Sequence, residues 1–315
     1  MMEQALVDRF REAVTMLVPD FENSDDKLGL AVSGGPDSLA LLLLANSCFP
    51  GRIAAASVDH GLRPEAHAEC EFVASICADR AIPHQILKPS FPIRGSIQAE
   101  ARKARYALLN AWIEGRGMAW LATAHHADDQ LETLVMRIMR GSGVDGMSAI
   151  RAKRGPIIRP LLSFPKNMLA EFVTAQGITP VDDPSNKDQS FDRVRVRDAL
   201  SRLSGFDVSL ANQSAAALDD ARTAIHWMVD KLAATYIQKN EDGCTLDNHD
   251  FPHEIVRRLL LKCLHVCDPA LSPRGSQLEP LIKGLEQGET QTIGNILCKG
   301  GKVWTFSAAP ERNNR

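Results

Sequence analysis

The chain has 315 residues, 44% of them hydrophobic and 24% charged, with a formal net charge of −3. That is an ordinary globular mix, long enough for two domains, and its weak negative charge leaves any nucleic-acid partner to local basic patches. The N-terminus carries early acids and no long apolar run, and the longest apolar stretch, around residues 39–45, is too short to span a bilayer, so a cytoplasmic protein with no membrane partner is expected.

From about residue 26 to residue 140, short apolar runs alternate with amphipathic stretches. LGLAVS, IAAASVDH, HQILKP and AWLATAHH predict strands, and LALLLLANS, EAHAECEFVASICADR and IQAEARKARYALLNAWIE predict the helices between them. The alternation implies an α/β fold, a parallel sheet covered on both faces, with ligands at the carboxyl ends of its strands. Residues 141–159 loosen into a Gly-rich, basic loop. NMLAEFVTAQG predicts another helix, followed by the polar segment VDDPSNKDQSFDRVRVRD. After Ser204 long helical patterns take over, and TQTIGNILCKGGKVWTFS reads as two strands about a Gly-Gly turn, a terminal β-hairpin. The expected domains are residues 1–204, α/β, and residues 205–315, smaller and mainly helical. Seven cysteines include no C-x-x-C pair, and Cys263 and Cys267, in an apolar helical run, read as buried free thiols.

The string SGGPDS follows the first predicted strand and opens a helix. Ser33, Gly34 and Gly35 leave backbone N–H groups unobstructed, and the helix points its positive end at the same place. Pro36 suits a first helical turn, where its missing N–H costs nothing. Asp37 beside such a nest would repel a bare phosphate, which suggests a bridging Mg²⁺, and Ser38 adds a hydroxyl donor. The loop lacks the G-K-[ST] ending of a Walker A sequence. It resembles the PP-loop of ATP pyrophosphatases, which implies an adenine nucleotide α-hydrolase-like sheet, ATP split between the α and β phosphates, and an adenylated substrate.

Further strings narrow the resemblance. VDHGLRPEA, QAEARKARYALL, TAHHADDQLETLVMRIMRGSG, IIRPLL and DDPSNKDQSFDRVRVR, in this order, are similar to the tRNA(Ile)-lysidine synthetase family over residues 26–200. The C-terminal part matches only in length and helical character. The resemblance implies an ATP-dependent ligase. The wobble cytidine of a CAU-anticodon tRNA(Ile) is adenylated at O2, the ε-amine of free lysine attacks C2, and AMP leaves. A thiolating relative would normally need catalytic cysteines or a cysteine-bound cluster. GMP and NAD synthetases share the loop but not these strings. A non-catalytic tRNA-binding protein that uses ATP structurally is the remaining rival, and oligomeric state is left open.

Against that reaction, individual residues take candidate roles. Arg102 and Arg105, three apart on one helix, are surface charges by periodicity alone; the resemblance makes Arg105 a triphosphate ligand. His125 and His126 end the fourth strand, and Asp128, Asp129 and Glu132 open the next helix, where acids also complement the helix dipole. A lysine substrate brings an ammonium group whose proton must be removed before attack. Asp129 is the first candidate to hold it, with Glu132 and His126 behind. Asp59 is either a ribose contact or the cap of a turn with Gly61. Arg137, Arg140, Arg151, Lys153, Arg154 and Arg159 crowd a region with one acid, Asp145, the best RNA patch in the chain. Arg193, Arg195 and Arg197 alternate with valines, which would turn three guanidiniums to one side of an extended segment. The family shows R-N-R-I-R here, so Val194 replaces an expected Asn. Asp183, Pro184, Ser185 and Asn186 match a family string and also make a sound turn.

Overall fold

A computed structural model describes residues 2–61, 65–89, 97–181, 192–202 and 207–310. Arg63, within the VDHGLRPEA string, and the DPSN string lie outside these residues. The chain divides into two compact units, residues 1–219 and 220–315.

In the first unit the elements run α1 (Met2–Leu17), β1 (Leu28–Ala31), α2 (Pro36–Cys48), β2 (Ile53–Val58), α3 (Glu65–Ala78), β3 (His84–Leu87), α4 (Ile97–Gly115) and β4 (Trp120–Ala122). They continue through α5 (Ala127–Met139), α6 (Val144–Met147), β5 (Lys153–Arg154), β6 (Ile157–Ile158), α7 (Lys166–Ala175) and α8 (Asp192–Ser201) into α9 (Val208–Tyr236), inside which the units divide. The expected boundary near Ser204 lies outside the described residues.

The sheet order is β3-β2-β1-β4-β6-β5, parallel except for the edge strand β5. Period-two alternation sorts the side chains to two cores. Leu28, Leu30, Ile53 and Ala55 join α1, α2 and α7 on one face, while Ala31, Ala54 and Ala56 meet Leu109, Trp112 and Ile113 of α4 on the other. From Leu39 to Ala45, α2 is buried all round, which explains its unbroken apolar run. Each fully buried leucine there contributes about 1.5–3 kcal/mol.

The second unit has the expected predominance of helix, with a sheet larger than the expected hairpin beside it. After α9 come β7 (Ile237–Asn240), β8 (Gly243–Leu246), α10 (His253–Cys267), α11 (Gly275–Glu286), β9 (Thr290–Ile293), β10 (Ile296–Lys299) and β11 (Trp304–Ala308). The strands form a five-stranded antiparallel sheet in the order β7-β8-β11-β10-β9. The terminal segment thus supplies three strands, and its Gly-Gly pair joins only the last two. Trp304 and Phe306 are buried against Leu259, Leu260 and Leu281 of α10 and α11. All seven cysteines are free; six are buried and Cys267 is half-buried. No described helix is long and apolar enough to cross a membrane.

Candidate active site

In the sheet, β1 lies between β2 and β4, so connections leave the two sides of β1 in opposite directions. Such a switch point opens a crevice at the carboxyl ends of the strands. A cleft of about 280 Å³ lies there, lined by Ser33, Gly35, Pro36, Asp37 and Ser38 after β1, by Thr123, Ala124 and His125 after β4, and by Glu69, Arg105, Asp129, Val181 and Arg193.

The phosphate loop is held from within. Gly34 sits at φ +88°, a conformation that strains any side chain, and its carbonyl accepts a 3.1 Å hydrogen bond from Val181 N–H. Ser38 Oγ accepts from Ser33 N–H at 3.1 Å and donates to Gly35 C=O at 3.0 Å. The hydroxyl expected to meet phosphate is therefore also the pin that shapes the loop. Pro36 takes the first position of α2, and no side chain caps that end, which leaves the N-terminal N–H groups of the helix facing the cleft.

His126 is buried at the centre of three carboxylates. Its Nε2 is 3.5 Å from Asp37 Oδ2 and 3.5 Å from Asp129 Oδ2, and its Nδ1 is 3.6 Å from Asp128 Oδ2. Burial by itself lowers the imidazole pKa, but Asp128, Asp37 and Asp129 outweigh it and raise it to about 10. At neutral pH His126 is an imidazolium. This corrects its candidacy as a proton acceptor: it is a cation that gathers the acids. Asp128 is committed to structure, accepting from Lys166 N–H at 2.8 Å. Asp129 accepts from His126 N–H at 3.1 Å and also faces the cleft.

His125, the other member of the pair, lines the cleft with its Nδ1 3.0 Å from Thr123 Oγ1. Burial, then the charges of Arg159, Arg102, Arg105 and Arg193, push its pKa well below the ordinary value, so it is neutral. The sequence reading put His126 forward as the candidate, whereas it is His125 that lines the cleft.

Glu132 does not line this cleft. Its buried carboxylate is occupied by Arg193 Nε at 2.8 Å, Arg197 Nε at 2.5 Å and Arg197 Nη2 at 3.2 Å. The three arginines stand on a helix, α8, which corrects the extended reading. Arg193 and Arg197, one turn apart, grip Glu132 together, Val194 and Val196 are buried, and Arg195 pairs with Asp192. Arg193 also reaches Asp129 Oδ1 at 3.4 Å and lines the cleft, a position the alternating pattern did not suggest. Arg105 lines it too, with its guanidinium pKa lowered first by burial.

Other candidates fall elsewhere. Asp59 is outside the lining of the cleft and caps its own turn, accepting from Gly61 N–H at 3.0 Å and pairing with His67 at 3.3 Å and Lys88 at 3.4 Å. In the basic region, Arg159 is buried and donates to Arg151 C=O at 2.6 Å, so it is withdrawn from the RNA patch. Lys153 donates to Leu17 C=O at 2.9 Å with its ammonium 4.1 Å from the Trp120 ring centroid. Arg140 pairs with Asp192 at 2.9 Å, whereas Arg137 and Arg154 are exposed.

A Mg²⁺ ion fits one observation. Asp37 Oδ1 is buried in the cleft and has no hydrogen-bond partner among the described residues. A carboxylate oxygen in that state calls for a cation or a donor.

The PP-loop domain family matches residues 5–203. The tRNA(Ile)-lysidine synthase of Zymomonas mobilis subsp. mobilis is 42% identical over 296 residues, covering 91% of this chain and 89% of the relative. The same-named protein of Rhodopseudomonas palustris is 41% identical over 318 residues, covering 91% of each. Among solved structures, a U34-tRNA thiolase from Methanococcus maripaludis aligns with a TM-score of 0.58 at 17% identity, over 70% of this chain and 79% of that one, a likeness of fold alone.

Proposed function

Because this chain belongs to the tRNA(Ile)-lysidine synthase family, ATP-dependent tRNA-modifying ligases built on the PP-loop fold, we propose a division of labour for its cleft in which cytidine O2 of a CAU-anticodon tRNA(Ile) attacks the α-phosphate of ATP, pyrophosphate leaves, and free lysine then displaces AMP at C2. The observation that carries this reading is the convergence, in one cleft at the switch point, of an uncapped helix N-terminus, two cationic side chains (Arg105 and Arg193), and the acids Asp37 and Asp129.

The N–H groups at the start of α2 and Arg105 orient the triphosphate and offset the charge that builds on the leaving pyrophosphate. Asp37 would hold Mg²⁺, which would supply further neutralisation of that charge. Asp129 receives the lysine ammonium and takes its proton as the amine attacks, since only the free amine is a nucleophile. His126 keeps Asp37, Asp128 and Asp129 together without itself exchanging a proton. Arg137, Arg151 and Arg154 hold RNA phosphates, with Lys153 and Arg140 doing so only after giving up protein partners. Residues 205–315 add a second tRNA-binding region.

The experiment is incubation with ATP, labelled lysine and a CAU-anticodon tRNA(Ile) transcript. Labelled RNA with one AMP and one pyrophosphate per lysine is expected; pyrophosphate release without labelled RNA would reject lysine as the nucleophile.

A further inference from the structure

Beyond the cleft, α5 and α8 enclose a second groove of about 340 Å³. Val135, Met136 and Met139 of α5 form one wall, and Val196, Ala199 and Leu200 of α8 the other. Arg140 and Arg195 stand at its edge, both paired with the single carboxylate of Asp192, so that edge is net cationic. The apolar floor is open to water: Met139 is 74% exposed, and its neighbour Ile138 57%. Adjacent exposed apolar side chains on one helix end, rimmed by charge, mark an interaction surface.

The chemistry of the groove selects its occupant. Polarisable thioethers beside guanidiniums complement an unstacked nucleobase, whose ring would lie on sulfur and guanidinium while its phosphate meets an arginine. An apolar peptide would gain nothing from the cationic edge. Position agrees with this. At a rise of about 1.5 Å per residue, Met136 and Met139 lie about 10 and 15 Å along α5 from Asp129. At about 3.4 Å or more per nucleotide, that places the groove within about four nucleotides of the reacting base.

We infer that this groove takes an unstacked anticodon-loop base flanking the target cytidine, with Met136 and Met139 as specificity-determining residues. The inference rests on the function proposed above. Its test measures steady-state lysine incorporation by wild type, Met139→Ala and Met139→Leu, using the intact transcript and transcripts with one abasic nucleotide on either side of the target. Met139→Ala should raise the KM for tRNA about tenfold with kcat within about twofold, and Met139→Leu should restore most of the loss. One abasic transcript should cost wild type a similar factor and cost Met139→Ala nothing more. Unchanged KM, or penalties that add in full, would overturn the inference, as would an unchanged KM accompanied by loss of self-association in sedimentation, which would assign the groove to a second copy. Leu200→Ala, on the facing wall, gives the same comparison if Met139→Ala folds poorly, since its abasic penalty should likewise be absent and a full penalty would overturn the inference. If wild type incorporates no lysine, the proposed function falls and the groove assignment with it; if wild type is active and the groove variants match it, only the groove assignment falls.

Discussion

Glu132→Gln isolates the carboxylate that ties α8 to α5. The side chain is 4% exposed, while its partners Arg193 and Arg197 are 37% and 33% exposed. Glutamine keeps the shape and one acceptor oxygen but turns an N–H₂ group toward two guanidiniums. A hydrogen bond to a charged group is worth about 1.5–3 kcal/mol, and breaking a fully buried pair costs about 3–5 kcal/mol. Both arginines regain water when released, which brings the expected loss to about 2–3 kcal/mol. For a unit of this size each kcal/mol moves Tm by about 2–4 °C, so a fall of about 5–10 °C should appear in thermal unfolding followed by circular dichroism. Arg193 lines the cleft, so the KM for ATP should rise with it. A Tm within about 1 °C of wild type, with a rise confined to the KM for lysine, would refute the structural role and return Glu132 to the lysine site expected from the sequence.

Asp129→Asn should retain tRNA-dependent pyrophosphate release in a single turnover while lysine incorporation falls more than about tenfold; equal loss of both would assign Asp129 to ATP. Removing the charges of Arg151 and Arg154 together should weaken RNA binding and reduce the slope of log affinity against log salt by about 2, and an unchanged slope would mean they are solvated. Glu254 has its pKa lowered, first by its hydrogen bond to Arg257, and so contributes stability above the ordinary carboxylate pKa that is lost as pH falls through the depressed value. Between about pH 5 and 3 the Tm of wild type should therefore fall more than that of Glu254→Gln, and parallel curves would dismiss the linkage.

The nucleotide-binding half was legible because its signals are local. A buried parallel strand reads as an apolar run, a strand-to-helix turn reads as Ser-Gly-Gly-Pro-Asp, and all four expected strands and their helices form. The misreadings arise where a distant partner decides. Val-Arg-Val-Arg has strand-like alternation, yet Glu132, some sixty positions earlier, rewards the i,i+4 spacing of a helix at Arg193 and Arg197. The same carboxylate looked free in the sequence because nothing nearby announces its arginines. His126 looked like a base although Asp128 and Asp129 stand beside it in sequence, because the third acid, Asp37, comes from the distant phosphate loop. In the second unit, β7 and β8 are only four residues each, hidden between long helices. Their turn, Glu241-Asp242, did carry a signal, for Asn240 Oδ1 accepts from Asp242 N–H at 3.1 Å and Gly243 follows at once.

The sequestered cysteines make the molecule a ready host for site-specific labelling. Burial raises the thiols of Cys48, Cys70, Cys77 and Cys267 to about 11 and that of Cys298 to about 12, and Cys263 is raised as well. At neutral pH a thiol of pKa 11 is ionised in about one molecule in ten thousand, and Cys244, the exception in direction, is fully enclosed. Maleimides and nitroxide reagents therefore meet an almost silent background. An Ile138→Cys variant would present an exposed thiol beside the α5–α8 groove, so that a single fluorophore could report RNA arrival without first deleting seven cysteines.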